Sequence, residues 1–567
     1  MKTFKKITLL FAITFISSCV ELDLNPLAEG SSENWYSNEV EITMSLNNLY
    51  NIDNWYLNTE EYTDDWYTRT DLSPIVAGTI SSDWNISSNL WTNCYRVISR
   101  ANTLLANLDE AKNIPENRII QYTAEARFVR AAQYSILISY FGDVVFYKEP
   151  LIDISEAFSM SRANKDKILQ EIYIDFDYAI ENLPLSYGDD ELQRATKGAA
   201  LALKARIALY MQDWNTAKDA AKSCIDLNIY SLHPSFNDLF LSKTKNSNEA
   251  IFVFPRSIEL GLIYSTGTNG IVNRMRSRNV GGTSYYNPTW DLFCSFECID
   301  GLPIDESPLF NPRKPFQNRD PRCTATIVEF GSSHLGYIYD PHPDSLNVLN
   351  LNTGMYVKNN DSRGTIQWAS YNGLLFKKGI DEDWLDLITD PDFIYIRYAD
   401  VLLMYAEAKI ELGEIDPSVL NAINQVRARA YGVAVSAITE YPAINSNDQN
   451  YLRKKVRLER RVEFTNEGLR YMDLIRWRLA EKALTNKNYG MLDVHDLREK
   501  IVKSNLWFFP ETPSIDEDGI VDFTKMYSEG LVRMLSQRSF DASRQYLWPI
   551  PSKEILINRN MNQNPGY

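Results

Sequence analysis

The sequence predicts a mainly α fold: tetratricopeptide-like helical hairpins forming a scaffold, with a loop-rich middle and a few short β-strands. Three observations predict it. Leu201, Ala205, Ala208 and Leu209 recur at helical spacing, and after the turn Gln212-Asp213-Trp214 the stripe resumes at Ala217, Ala220, Ala221, Cys224 and Ile225. A second hairpin follows the same plan, with Leu402, Tyr405, Ala406 and Ile410 leading through Gly413-Glu414-Ile415 to Val419, Ala422, Ile423 and Val426. Between about residues 230 and 390 the periodicity lapses, and Gly, Pro, Asn, Ser and Asp cluster between short runs. Small alanines at the crossings let paired helices nest, although neither copy carries the complete tetratricopeptide signature.

Taken from the N-terminus, Lys2, Lys5 and Lys6 precede the apolar run Ile7 to Ile16, which is shorter than the ~20 residues a membrane-spanning helix needs. This reads as a secretory signal over residues 1–18. Ile16-Ser17-Ser18-Cys19 resembles a bacterial lipobox, so Cys19 is the expected lipidated N-terminus. Acylation at ~0.8 kcal/mol per buried methylene would anchor the chain to a bilayer. Residues 19–40 read as a polar tether, and residues 41–567 as one domain, because no Gly/Ser- or Pro-rich linker divides them. Helices are expected at Glu41 to Tyr50, Leu90 to Leu108, Thr123 to Tyr140, Ile168 to Glu181 and Asn450 to Glu481, and short strands at Ala250 to Phe254 and Cys323 to Phe330.

Composition narrows the function classes. The 567 residues carry a net charge of −16, which disfavours phosphate backbones, so no nucleic-acid partner is expected. No G-x-S-x-G, P-loop or dinucleotide fingerprint is present, and the four histidines are scattered without zinc spacing. An enzyme and a cofactor are therefore not expected. Calcium has weak support from Asp381-Glu382-Asp383 with Asp386 and from Asp516-Glu517-Asp518-Gly519 with Asp522, neither of which completes an EF-hand loop. Solvated acidic turns account for both. The cysteines after Cys19 are odd in number and irregularly spaced, so no obligatory disulfide is expected.

Five ordered blocks resemble the SusD/RagB outer-membrane lipoproteins of Bacteroidetes. They are Glu125-Ala126-Arg127-Phe128-Val129-Arg130-Ala131 with Tyr140-Phe141-Gly142-Asp143; Arg194-Ala195-Thr196-Lys197-Gly198; Asp300-Gly301-Leu302-Pro303 with Asn318-Arg319-Asp320-Pro321-Arg322; Ile396-Arg397-Tyr398-Ala399-Asp400 through Glu407-Ala408; and Glu459-Arg460-Arg461-Val462-Glu463-Phe464 with the ending Leu547-Trp548-Pro549-Ile550-Pro551. The Arg- and Glu-rich blocks read as scaffold held by ion networks. The resemblance implies a non-catalytic, cell-surface protein that captures an oligosaccharide. It also implies a SusC-like TonB-dependent transporter as partner, over which the protein forms a lid.

A sugar needs flat aromatic faces beside Asn, Asp or Arg, and the chain is rich in rings, with 33 Tyr, 24 Phe and 12 Trp. The turn-rich stretch between the first two helices offers Trp55, Trp66, Tyr67, Arg69, Trp84 and Asn85, and the middle offers Tyr285 and Tyr286. Trp368 and Trp384 are further possibilities. A peptide or other non-carbohydrate nutrient is the alternative ligand, recognised more by charge and backbone hydrogen bonds than by stacked rings.

Overall fold

The computed structural model describes residues 35–567, apart from 56, 109–110, 112–113, 152, 189–193, 265–269 and 387. The signal segment, Cys19 and the tether up to residue 34 lie outside the described residues. The last residues of the expected tether belong to the fold: Asn38 caps helix α1 (Glu39–Leu49) by accepting from the Glu41 N–H, and the Trp35 indole donates to Ser45 at 2.7 Å.

Helices dominate. After α1 come α2 (Asn85–Leu108), α3 (Glu116–Phe141) and α4 (Lys165–Asn182), then the first hairpin, α5 (Lys197–Tyr210) and α6 (Trp214–Asp226). The second hairpin is α7 (Tyr398–Leu412) and α8 (Pro417–Ala430). Capping residues set the boundaries: Thr196, Asp213 and Asp416 accept backbone N–H groups at the starts of α5, α6 and α8, and Gly413, in the left-handed region at φ 72°, ends α7. The helices stack in series, and α7 packs against α6, so hairpins far apart in sequence become neighbours. Close approach has a visible cause at Gly198, where a Cβ would meet the Tyr230 hydroxyl at 2.0 Å.

Two expectations fail for local reasons. The predicted helix over 450–481 divides into α9 (Gln449–Glu463) and α10 (Arg470–Arg476), because Asn466 and Gly468 adopt positive φ and Glu467 turns inward to pair with Arg397 and Lys378. The predicted strand at 323–330 begins as the short helix Pro321–Thr326, since Asp320 accepts the Arg322 N–H and Pro321 fits the first turn.

The strands are short, as the sequence implied. In chain order, β1 (Trp66–Thr68), β2 (Ala250–Phe254) and β3 (Tyr286–Pro288) come first. Strands β4 to β7 (Ser333–His334, Tyr337–Ile338, Asn347–Asn350, Met355–Lys358) form an antiparallel meander. Then come β8 (Phe393–Arg397), β9 (Lys487–Gly490) and β10 (Arg533–Gln537). β2 pairs with β8, β9 with β10, and β1 with β3 in the register Trp66↔Pro288, Tyr67↔Asn287, Thr68↔Tyr286.

One apolar core lies among the helices, and a second lies in the loop-rich half around Trp290, Phe293, Phe376, Phe508 and Phe523. Between them runs a buried lattice of ions. Glu463 on α9 meets Arg397 at 2.8 Å and Arg322 at 3.0 Å, and also pairs with Arg429. Glu459 meets Arg427 at 2.9 Å, Arg460 bridges Asp400 and Asp473, and Arg461 reaches Asp64 and Asp65. The Arg- and Glu-rich blocks are thus scaffold, as read from the sequence. Removing one member strands buried countercharges at about 3–5 kcal/mol. Glu463→Ala is therefore expected to lower stability by about that amount in denaturant unfolding. Asp226→Ala, which removes the exposed Lys222 pair, should change it by under about 0.5 kcal/mol.

Candidate functional site

The β1–β3 pairing joins the two aromatic segments singled out in the sequence. Trp66 on β1 packs inward, where it is 5% exposed and lies 4.7 Å from the Tyr286 ring and 5.1 Å from Phe376. Tyr286 is also buried, its hydroxyl held between Arg274 and Glu61. Both rings are foundations of the site and not its surface, contrary to the exposed role expected of them.

Above them stands a half-buried cluster. The Arg69 guanidinium lies 5.4 Å from the Tyr285 ring and 5.8 Å from that of Trp368, between the two rings. It donates to the Thr283 carbonyl at 2.9 Å and to the Trp368 carbonyl, which also accepts from Arg278 Nε at 2.8 Å. Cation–π contact with the two rings and the carbonyl hydrogen bonds hold the planar cation in place. Trp368 is 48% exposed and presents its ring to solvent. Thr70 hydrogen-bonds the Tyr285 hydroxyl and so fixes that second ring. Alongside, Tyr371 packs under Arg363 at 4.8 Å and Arg533 at 5.3 Å. Tyr67 is buried beneath, and burial followed by the nearby Tyr371 hydroxyl pushes its own hydroxyl well above the usual range.

The remaining predicted residues fall elsewhere. Trp55 is 3% exposed, its indole donating to the Leu49 carbonyl and its ring packed among Phe128, Phe252, Phe254 and Tyr395. It is a core residue, because the turn after α1 points it into the helical stack. Trp84 rests on Trp548 and Tyr62, and Asn85 is exposed at the start of α2. Among the described residues no ring contact or hydrogen bond links either to Arg69. Trp384 is buried.

Arg274, Arg278, Arg363, Tyr371 and Arg533 were not anticipated. The alternating run Arg274-Met275-Arg276-Ser277-Arg278 was the available signal, a concentration of positive charge in an acidic chain. No group of three His, Cys, Asp or Glu side chains among the described residues is placed to hold a metal. The acidic turn at Asp516 and Asp518 is instead closed by Lys482.

A separate cavity of about 140 Å³ lies among the helices, lined by Trp55, Glu60, Tyr140, Arg206 and Tyr395. It is smaller than the ~300 Å³ at which small-molecule sites begin.

Residues 248–567 match the model of the SusD family, and residues 21–209 match a second model described as starch-binding associating with outer membrane. The chain belongs to the SusD family. It is accordingly a binding protein and not an enzyme. SusD-like protein P25 of Formosa agariphila is 26% identical over 521 residues, which cover 86% of this chain and 92% of that protein. SusD-like protein P2 of the same organism is 24% identical, the match covering 99% of each chain. Among solved structures, a SusD-like carbohydrate binding protein from Bacteroides fragilis is 25% identical with a TM-score of 0.76, covering 93% of this chain and 100% of that one. A laminarin binding SusD-like protein shares the fold at 21% identity and a TM-score of 0.58, covering 94% of this chain and 100% of that one.

Burial pushes Glu60 up to about 8, although its carboxylate accepts the Gly468 N–H at 2.6 Å. The folded chain therefore holds this proton to about pH 8 while the unfolded chain releases it near ~4.3, so this residue's contribution declines as pH rises through that window. Glu60→Gln, which keeps the acceptor, is expected to gain on the wild type by about 2–4 kcal/mol between pH 5 and pH 8 in paired denaturant melts.

Proposed function

We propose that this SusD-family protein is a cell-surface lipoprotein that captures an oligosaccharide or polysaccharide and delivers it to a SusC-like TonB-dependent outer-membrane transporter, acting as its extracellular lid. The observation that carries the reading is the exposed Trp368 ring, set beside Tyr285 and the Arg69 and Arg278 donors on a rigid strand-and-loop base. A pyranose lays its C–H face on such a ring while its rim hydroxyls meet guanidinium and amide groups. The carbohydrate-binding and laminarin-binding proteins that share its fold support the ligand class.

Cys19 would carry the lipid, and residues 20–34 would supply reach from the membrane. Residues 41–567 act as one unit in this reading, because α9 contributes Leu452 and Val456 to the helical core and Val462 to the other.

Calorimetric titration of the full-length protein against neutral and charged oligosaccharides, with matched peptides alongside, tests capture. Trp368→Ala is expected to weaken saccharide binding about tenfold or more, equivalent to ~1.4 kcal/mol, without moving the unfolding midpoint. Trp55→Ala is expected instead to cost about 3–5 kcal/mol of stability. Saturable binding of peptides alone would replace the saccharide reading. Fractionation tests the anchor: Cys19→Ala should leave the membrane fraction and enter the soluble one.

A further inference from the structure

Charge pairing separates two populations of arginine in this chain. The interior guanidiniums of Arg322, Arg397, Arg427, Arg460, Arg461 and Arg476 each meet at least one buried carboxylate. Arg69 and Arg278 do not. Both donate only to backbone carbonyls, and no carboxylate among the described residues lies within ion-pair distance of either. They nevertheless converge on the same Trp368 oxygen, which brings two like charges together.

Five N–H bonds are available to each guanidinium. Arg278 uses its Nε–H, and its four Nη hydrogens have no partner among the described residues. Arg69 uses Nη1, while its Nε–H is buried without a partner. Burial and the adjacent Arg69 act against the charge on Arg278, and the attraction of Asp361 offsets them only in part.

The surrounding acids are committed elsewhere. Asp361 is buried and accepts the backbone N–H groups of Arg278 and Asn279. Asp493 is shared by Arg363 and Arg533. Glu61 accepts from the Tyr286 hydroxyl, and Asp71 from Thr70. The face is therefore locally cationic on a molecule whose net charge is −16.

Resting on the proposed saccharide function, we infer that the ligand is an anionic glycan, with a sulfate ester or uronate oxygen seated on Arg69 and Arg278 while a sugar ring stacks on Trp368. A sulfate or carboxylate offers paired oxygens that match the guanidinium fork. A neutral glycan would leave two adjacent cations with no carboxylate in ion-pair contact. The carbonyls of Thr283 and Trp368 and the flanking rings hold the guanidiniums in place before ligand arrives, so little reorganisation is needed on binding.

The test is calorimetric titration of the full-length protein with carrageenan oligosaccharides, oligogalacturonate, and malto- and laminari-oligosaccharides of equal length, at 50 and 300 mM NaCl. Anionic probes are expected to bind at least tenfold more tightly than neutral ones, with the difference shrinking at high salt. The sulfated and uronate arms identify which anion is preferred. Arg69→Gln with Arg278→Gln should lower anionic binding at least tenfold and neutral binding by a clearly smaller factor, because the Gln amide still donates to a neutral rim hydroxyl but carries no charge. Arg278→Gln alone serves if the double variant does not fold, and Arg278→Lys should retain part of the preference. Equal or tighter binding of neutral probes, or anionic binding indifferent to both arginines, overturns the inference and leaves the saccharide function standing. Failure of every saccharide in the panel overturns that function and this inference together.

Discussion

The buried arginine–carboxylate lattice centred on α9 is the constraint on which the rest of the structure depends. Glu459 and Glu463 accept from arginines of the middle segment, the β8–α7 junction and α8, while Arg460 and Arg461 on the same helix reach α7, α10 and the stretch before β1. Each ion is costly to desolvate, and a buried pair often contributes little net stability over an apolar replacement. What such a lattice supplies is register. A helix that shifted by one residue would present Val462 where Glu463 now meets three arginines, and each of them would lose one of its buried carboxylates.

That register is transmitted to the candidate site through few residues. Arg461 holds Asp64 and Asp65, which directly precede β1, and Thr289, which directly follows β3, donates to the Asp64 carbonyl. The strand pair is thereby pinned at one end to the helical scaffold. Its other end carries Arg69 and Tyr285, and the loop bearing Trp368 closes over it through two guanidinium contacts to one carbonyl. The exposed rings thus stand on a base of buried ones, Trp66, Tyr286 and Phe376, whose packing holds the surface group in a single orientation. Neutralised arginines build the frame, and arginines without a carboxylate face the solvent at its edge.

The helices were legible because a buried face repeats every three to four residues and capping residues mark its ends, as Thr196, Asp213 and Gly413 do. The break at 464–469 was not, since Glu467 leaves the helix to satisfy Arg397 and Lys378, groups remote in sequence. Aromatic enrichment singled out segments that the fold brings together at the candidate site but did not sort their rings. Trp55, Trp66 and Trp368 are equivalent as letters, and whether each is a core plug, a foundation or an exposed platform depends on what packs against it.

By itself the sequence determined the hairpin scaffold, its capping and turn positions, and the family blocks whose charges pair inside. These follow from short-range periodicity, which local physics reads directly. Tertiary structure alone decided that residues 66–68 and 286–288 are strand partners, that Trp368 lies over Arg69, and that Arg69 and Arg278 meet with no carboxylate in ion-pair contact. Those contacts join segments 90 to 299 positions apart. No local pattern encodes such proximity, because it arises only when the two cores are locked together by the buried ions between them.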